Sequence, residues 1–582
     1  MSWNCLTIAA MLLFLAACGR APEAATEGAG NSDSLDQEFV KVAGDYIEEM
    51  LAMYPEFATA LGDHRYDGEM GDYSMAGITR SLEFNQRFQN LLSAMDPQKL
   101  SKTNLIDREL LLNRISNQIY SLTELRSYEN NPLNFAPANA IFSLLAREFA
   151  PLEDRLVSVR GRLEQFPRVV EEVMGLLKNP PRIHTETAIR QNKGALQLVT
   201  EGLDAFLETV PDMKPALEPA RAAAAQALER YGTWLEEELL PRSTGDFRLG
   251  EAKFRDKLQY TLGSDLSMDE ILTRAEADLR QTQQDLYQTA LALYPERVGG
   301  DPPADQKAVI KAVLDRLAEE RPDNATIVDL ARGMTDRCTA FVREKQLVSL
   351  PNEAVKLIVM PEFQRGVAVA YCDSPGPFER QGETFYAIAP TPEEWPQEQV
   401  TSFFREYNNY MLADLTIHEA MPGHYLQLAH ANQFQAPTKI RAIFSSGTFV
   451  EGWATYAEQV MVEAGYGGNE VKMQQLKMRL RLIINAILDQ KIHTAGMTEE
   501  DAMRLMMEEG FQELGEAAGK WRRACLTSTQ LSTYYVGNQE INDLRKAYQA
   551  KHGQDVDLKT MHDAMLSFGS PPARYVKRLL DL

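Results

Sequence analysis

Apolar residues recur three and four positions apart from about residue 35 to residue 351, which is the period of an amphipathic α-helix. We predict helices throughout this stretch, and the pattern is clearest at 104–122, 146–177 and 216–240. Proline and glycine predict breaks at 179–181, at Pro211 and at 299–303. We find no fixed repeat period, so a regular solenoid is not expected.

The pattern changes between residues 355 and 390. Residues 355–360, 367–371 and 384–388 are rich in β-branched and aromatic side chains and are separated by glycine and proline, which predicts a small antiparallel sheet. Helical spacing returns after Trp395-Pro396. We therefore predict a mainly α fold, in which a large helical body surrounds a central cleft and the small sheet lies near the active site.

This change in pattern also suggests how the chain is divided. We predict a helical N-terminal region at 35–350 and a metal-binding catalytic region with the small sheet at 351–582. The alternative is one continuous helical body around the cleft. With 582 residues, of which 44% are hydrophobic, the chain can bury a large core. Its net charge of −23 argues against binding of nucleic acid, which requires clustered basic residues.

The N-terminus has the features of an export signal. Residues 6–17 are apolar except for Thr7, and they lead into LAACG at 15–19, which resembles a bacterial lipobox. We predict a lipoprotein signal peptide at 1–17, lipidation of Cys18 and a flexible tether at 18–34; an ordinary cleaved signal is the alternative. No acidic residue follows Cys18 directly, which by resemblance to enterobacterial sorting favours a periplasmic protein anchored in the outer membrane.

A metal site is suggested by His418, Glu419 and His424. The two histidines are six positions apart, so on an unbroken helix they differ by about 120° and do not face one ion. Pro422 and Gly423 lie between them, and these residues interrupt a helix and allow unusual backbone angles. We predict a distorted turn that brings both imidazoles to one zinc ion, with Glu419 as general base.

A glutamate from a later helix completes the predicted ligand set. Glu451 is the preferred third ligand, and Glu458 lies two helical turns further along the same face. Glu458 is expected to orient a ligand histidine through a hydrogen bond, or else to replace Glu451 at the metal. The simpler alternative is that the histidines sit at a helix end beside a salt-bridged glutamate.

Four segments together resemble one bacterial family, a domain of unknown function with the number eight-eight-five, many of whose members are lipoproteins. The segments are HEAMPGHYLQ at 418–427, EGWATYAE at 451–458, STYYVG at 532–537 and MHD at 561–563, so the resemblance covers most of the mature chain. The family looks like a helical relative of the gluzincin metallopeptidases. That resemblance implies His418, His424 and Glu451 as zinc ligands and Glu419 as base.

The gluzincin resemblance also implies a side chain on a later helix that stabilises the oxyanion. Tyr534 is our first choice and His562 the second, with a packing role as the alternative for each. Arg574 is a candidate for binding a substrate carboxylate, although a surface arginine is the simpler interpretation. The segment containing Tyr386 is a candidate edge strand for an extended peptide, or else a structural hairpin.

The predicted function is hydrolysis of peptide bonds by a zinc metallopeptidase that faces the periplasm and is held to the membrane by its lipid. Two alternatives remain open at this point. One is a zinc amidohydrolase that acts on cell-wall peptides. The other is a non-enzymatic envelope-binding lipoprotein with a vestigial metal site, which is disfavoured because neither the base nor any ligand is missing.

Overall fold

The computed structural model describes residues 29–360, 369–379 and 382–582, and this part of the chain is mainly α-helical. The helices before the sheet are α1 (Ala29–Met53), α2 (Pro55–Ala60), α3 (Met75–Ala94), α4 (Lys102–Tyr120), α5 (Ser127–Asn130), α6 (Pro137–Leu145), α7 (Leu152–Leu176), α8 (Arg182–Gln197), α9 (Asp204–Thr209), α10 (Lys214–Trp234), α11 (Leu240–Arg242), α12 (Glu251–Leu262), α13 (Met268–Arg297), α14 (Gln306–Leu317) and α15 (Ile327–Lys345).

The sheet and a second series of helices follow. The strands are β1 (Lys356–Val359), β2 (Ala370–Asp373) and β3 (Phe385–Ile388). The later helices are α16 (Gln397–Glu406), α17 (Asn409–Glu419), α18 (His424–Gln433), α19 (Ile440–Ile443), α20 (Gly447–Glu463), α21 (Gly468–Ala495), α22 (Glu499–Arg504), α23 (Leu514–Leu526), α24 (Ser532–His552), α25 (Leu558–Leu566) and α26 (Ala573–Leu579). The predicted mainly α fold with a small sheet is confirmed.

The three strongest helical patterns correspond to α4, α7 and α10. Helix α7 begins at Leu152, later than the predicted start at residue 146, because Pro151 precedes its first turn. A proline ring excludes the helical hydrogen bond and favours the start of a helix over its interior. Helix α10 continues through a π-helical turn at Leu235–Leu239 into α11, as the pattern at 216–240 predicts.

Buried apolar clusters join the two halves of the chain. Ile440 and Tyr575 pack in one core with Phe39 and Tyr46 of α1. Helix α13 packs along α21, and Leu286 and Leu480 share a further core. The cores therefore cross the boundary predicted near residue 350, and the helices that carry the candidate site rest on the N-terminal helices.

The sheet is mixed rather than wholly antiparallel as predicted. Strand β3 lies in the centre, pairing in parallel with β1 and antiparallel with β2. The reason lies in burial: Tyr386, Ala387 and Ile388 of β3 are fully buried, whereas β1 is exposed at both ends. The most apolar strand takes the central position, although β2 precedes it in the chain.

The predicted signal peptide at 1–17 and the lipidation site at Cys18 lie outside the described residues. Helix α1 begins at Ala29, so the last residues of the predicted tether at 18–34 are helical. Within the described ranges, no helix is both long and apolar enough to cross a membrane.

Candidate metal centre

The two candidate histidines are brought together by a break between α17 and α18. His418 lies in the last turn of α17, and His424 is the first residue of α18. The imidazole centroids are 4.7 Å apart, with ring planes at 87°. The interruption predicted around Pro422 and Gly423 is therefore present, and the Met421–Pro422 peptide bond is cis.

Only glycine fits at position 423. A Cβ atom there would collide with the carbonyl oxygens of His418 and Ile417. The Gly423 amide donates a hydrogen bond to the Ile417 carbonyl at 2.9 Å, which closes the turn. Trp453 of α20 holds the turn from the other side, since its indole N–H donates to the Pro422 carbonyl at 2.9 Å. The glycine and the tryptophan together define the path of the chain between the histidines.

Glu451 of α20 faces both imidazoles. Its Oε2 atom lies 3.5 Å from Nε2 of His418 and 3.4 Å from Nε2 of His424. In a tetrahedral zinc site with bonds of about 2.0–2.1 Å, neighbouring donor atoms lie roughly 3.3–3.4 Å apart. One donor atom from each residue lies within 4.8 Å of the others, so the cluster could hold a metal ion. The side chains are 11–19% exposed, so solvent reaches the cluster.

Glu458 contacts the first histidine from behind. It is fully buried, and its Oε1 atom lies 2.6 Å from Nδ1 of His418. An acceptor at Nδ1 keeps a ring proton there, so Nε2, which faces Glu451, is the nitrogen that would give up its proton to bind a metal. Burial alone would lower the pKa of His418, but its hydrogen bonds to Glu451 and Glu458 outweigh burial and raise that pKa well above its ordinary value.

Replacing Glu458 by glutamine tests this orienting contact. The amide keeps the shape of the side chain but is a weaker acceptor for the Nδ1 proton of His418. We expect zinc affinity to fall roughly 10- to 100-fold, measured by competition with a chelator. Glu463→Gln, an exposed carboxylate on the same helix, is the matched control and should leave the affinity unchanged. Equal affinities in the two variants would refute the orienting role.

A close helix crossing positions Glu451 beside α24. A Cβ atom at Gly452 would collide with the backbone of Gly537, and one at Gly537 would collide with the Thr448 carbonyl oxygen. The two glycines therefore let α20 and α24 touch backbone to backbone. This contact places Glu451 next to the first turn of α24, which carries Tyr534.

Gly452→Ala should therefore destabilise the protein even though alanine favours a helix. The new methyl group forces α20 and α24 apart, and overpacking of this kind costs about 1–3 kcal/mol. Urea unfolding measures the loss of unfolding free energy. Gly175→Ala in α7 is the control, because no atom lies within 4 Å of a Cβ at that position, and it should be neutral or stabilising. A Gly452→Ala variant as stable as this control would contradict the crossing.

Tyr534 lies close to the cluster and is held there by Arg523. The tyrosine hydroxyl accepts a hydrogen bond from Arg523 at 3.0 Å. Burial, and then the nearby negative charge of Glu451, raise the pKa of Tyr534. The start of α24 is anchored by buried Asp489, which accepts hydrogen bonds from the backbone amides of Thr529 and Ser532. Tyr534 thus keeps its own proton and has a well-defined position.

Glu419 is the last residue of α17, a helix that contacts β2. It follows His418 directly and is 9% exposed. Burial is the main cause of the pKa of Cys372 in β2 rising well above its ordinary value, and the charge of Glu419 is the second. The charge of Glu419 therefore lies within electrostatic reach of β2.

The structure does not support the substrate-binding role predicted for the segment around Tyr386. The side chain is fully buried, with its hydroxyl 3.3 Å from that of Thr416. Its strand, β3, is the central strand of the sheet and offers no free edge. The prediction of an edge strand at β3 is wrong because β3 is inserted between the other two strands.

His562 and Arg574 are also placed away from the predicted roles. His562 is buried, and its ring nitrogens contact the Leu347 carbonyl at 2.7 Å and the Tyr456 hydroxyl at 2.8 Å, so neither is available to a substrate. Arg574 pairs with Asp265 at 2.6 Å and is one-third exposed. His562 packs on Trp453 behind the turn, and Arg574 has the surface position that was its alternative.

Arg523 and Lys520 of α23 were missed by the sequence analysis. Arg523 contacts Tyr534, and Lys520 lies one helical turn before it. The available signal was KWRR at 520–523, a run of basic residues in a strongly acidic chain. A basic run is usually a solvated helix face, so the tertiary contact was needed to place it.

Comparison with known proteins places the chain among bacterial proteins without an established activity. The model of the family described as "Bacterial protein of unknown function (DUF885)" matches residues 55–580. A proposed lipoprotein of unknown function from Shewanella oneidensis is 32% identical, with a TM-score of 0.80 over 94% of this chain and 100% of that one. A proposed lipoprotein from Colwellia psychrerythraea is 17% identical, with a TM-score of 0.74 over 94% and 99% of the two chains, and shares the fold.

Two further comparisons carry no functional argument. Metallocarboxypeptidase 1 from Trypanosoma cruzi aligns with 95% of this chain and 92% of its own, but it is 12% identical with a TM-score of 0.30. A similarity at that level supports neither fold nor activity. No curated protein matches the sequence significantly.

Proposed function

Since the chain belongs to the DUF885 family of bacterial proteins, whose description leaves the function open, we propose an activity from the geometry of its site: zinc-dependent hydrolysis of peptide bonds. The observation that carries the proposal is the convergence of His418, His424 and Glu451, with Glu419 adjacent to the first histidine. Two imidazoles and one carboxylate form the ligand set that catalytic zinc prefers, since it leaves a coordination position open for substrate or water.

The donor set fits a metal ion in a further respect. Apart from the two Nε2 atoms that face it at 3.4 and 3.5 Å, the Oε2 atom of Glu451 is buried without a hydrogen-bond partner among the described residues. Burying an unsatisfied carboxylate oxygen is costly, and a cation at the centre of the cluster removes that cost. When bound, zinc supplies a Lewis acid that polarises the scissile carbonyl and acidifies water.

The protein side chains then divide the proton transfers between them. Glu419 takes a proton from the attacking water as the new C–O bond forms, and it passes that proton to the amine nitrogen as the C–N bond breaks. Tyr534 donates its hydroxyl proton in a hydrogen bond to the developing oxyanion. Arg523 assists because its N–H group donates to the Tyr534 oxygen. The tyrosine O–H group then remains free to donate to the oxyanion.

The proposed cellular setting follows from the N-terminus and from the relatives. Cys18 would carry the lipid, and residues 351–582 would supply the metal site. Residues 35–350 would pack against the helices that carry this site. The two solved relatives are themselves described as lipoproteins. We place the protein on the periplasmic face, anchored in the outer membrane, with peptides as its substrates.

Metal content and peptide hydrolysis test the proposal directly. We expect about one zinc ion per chain by mass spectrometry, and cleavage of a mixed peptide library that stops when zinc is chelated and resumes when zinc is restored. A protein that binds zinc but cleaves no peptide in the library would refute the peptidase function. A protein that takes up no zinc would refute the metal centre as well.

A further inference from the structure

One face of α23 presents a row of charged side chains towards the metal cluster. Glu516, Lys520 and Arg523 recur at intervals of four and three residues, so they lie along one side of the helix. Arg523 is nearest the site, since it contacts Tyr534. Although burial lowers its pKa, the negative charges of Glu451 and Glu516 contribute to raising that pKa above its ordinary value. Lys520 and Glu516 lie one and two helical turns farther from Tyr534 along α23.

The hydrogen bonds of Arg523 run to uncharged groups. Its guanidinium donates to the Gln530 side-chain oxygen at 2.8 Å and to the Tyr534 hydroxyl at 3.0 Å, and both acceptors are uncharged. In the part of the chain that the structure describes, no carboxylate forms an ion pair with it. Glu451, the acidic residue among the three candidate ligands, would bind the zinc ion.

Lys520 belongs to a network of charged side chains on α21 and α23. Lys477 and Arg481 of α21 both pair with Glu406, and Arg481 also shares Glu516 with Lys520, each at 3.7 Å. Arg481 is also within electrostatic reach of the buried acids Asp414 and Glu458. Lys520 therefore shares its one paired carboxylate with a second cation that is held by other acids.

Lys520 forms only a long ion pair, with Glu516. Its side chain is only 10% exposed, and its carboxylate partner Glu516 lies at 3.7 Å, beyond a normal hydrogen bond. Glu516 itself is held by the Tyr407 hydroxyl at 2.9 Å, so it is not free to move towards the lysine. A nearly buried ammonium group with one distant partner can gain strongly from a ligand carboxylate.

We propose that Lys520 and Arg523 bind a carboxylate group of the peptide substrate and thereby set which bond is cleaved. This inference rests on the proposed peptidase function. The carboxylate has two possible sources, the free C-terminus of the peptide or an acidic side chain near the scissile bond. Binding at this row holds the peptide by its charged group while the neighbouring carbonyl lies between Glu419 and Tyr534. Arg574, which the sequence suggested for this role, already forms an ion pair with Asp265.

Binding measurements can be separated from turnover. In the zinc-loaded Glu419→Gln variant, we compare three peptides of one sequence: the free acid, the C-terminal amide, and the amide with a glutamate placed beside the cleaved bond. Charge-assisted hydrogen bonds predict a Kd for the free acid roughly 10- to 100-fold lower than for the plain amide. Tight binding of the glutamate amide instead identifies the side chain as the source. Equal binding of all three peptides, or binding of none, would overturn the proposal.

Lys520→Met then tests the assigned side chain. The preference for the carboxylate peptide should shrink to less than about threefold, with the affinity for the plain amide unchanged, and Lys520→Arg should restore it. Arg522 is exposed and lies two positions after Lys520, so Arg522→Met is the matched control. It should leave the affinities for all three peptides unchanged. Unaltered preference in Lys520→Met would overturn the assignment. If the parent protein cleaves all three peptides equally well, the proposed function stands and this inference fails.

Discussion

Glu419→Gln is expected to abolish peptide hydrolysis while the protein keeps its zinc. Glutamine has the size and shape of glutamate, so the turn after His418 should be undisturbed, but an amide cannot take a proton from water. Loss of a general base lowers kcat by about 10²- to 10⁴-fold. The measurement is kcat on the best peptide from the library, beside zinc content by mass spectrometry.

The comparison that makes this result specific is a second glutamate. Glu398 lies exposed in the first turn of α16, away from the cluster, and Glu398→Gln should keep both zinc and full activity. If Glu419→Gln retained the activity of this control, Glu419 would not be the base. If Glu419→Gln lost zinc along with activity, its carboxylate would belong to the ligand set, and the mechanism would need a different proton acceptor.

His424→Ala is expected to lower the zinc content from about one ion per chain to near zero. Removal of this imidazole leaves His418 and Glu451, and two donors do not retain zinc against a chelator at neutral pH. The Gly423 turn should survive because its hydrogen bonds involve the backbone and Trp453. Mass spectrometry of the purified variant gives the stoichiometry, and circular dichroism reports whether the helices are kept.

His430 provides a matched control on the same helix. It lies six residues beyond His424 in α18, and its Nε2 atom contacts the Ser349 carbonyl at 2.8 Å, away from the metal cluster. His430→Ala should therefore retain the full zinc content. A His424→Ala protein that still bound one zinc ion would mean that the turn does not bring both histidines to the metal, and it would refute the proposed ligand set.

The metal cluster was accessible to sequence reasoning because its residues carry local constraints. The six-residue spacing of His418 and His424 is incompatible with an intact helix, and Pro422-Gly423 between them indicates where the helix must break. The seven-residue spacing of Glu451 and Glu458 places both on one helix face. In the structure Glu451 faces both imidazoles and Glu458 contacts His418 from behind, as these spacings suggested.

The residues misplaced or missed from the sequence all depend on distant contacts. His562 was a candidate because it is a histidine beyond the motif, but its ring is enclosed by Leu347 and Tyr456, which no spacing reveals. No local pattern marks Arg523, because basic residues on a helix are usually solvated. Its contact with the Tyr534 hydroxyl depends on how α23 packs beside α24.

The sequence by itself determined the helical character, the break between α17 and α18 and the set of residues able to bind a metal, because periodicity and the stereochemistry of proline and glycine act over a few residues. The tertiary structure alone decided the strand order, the touching of α20 and α24 at Gly452 and the contact of Arg523 on α23 with Tyr534. These features depend on which surfaces pack together, and packing is settled by the whole core rather than by neighbours in the chain.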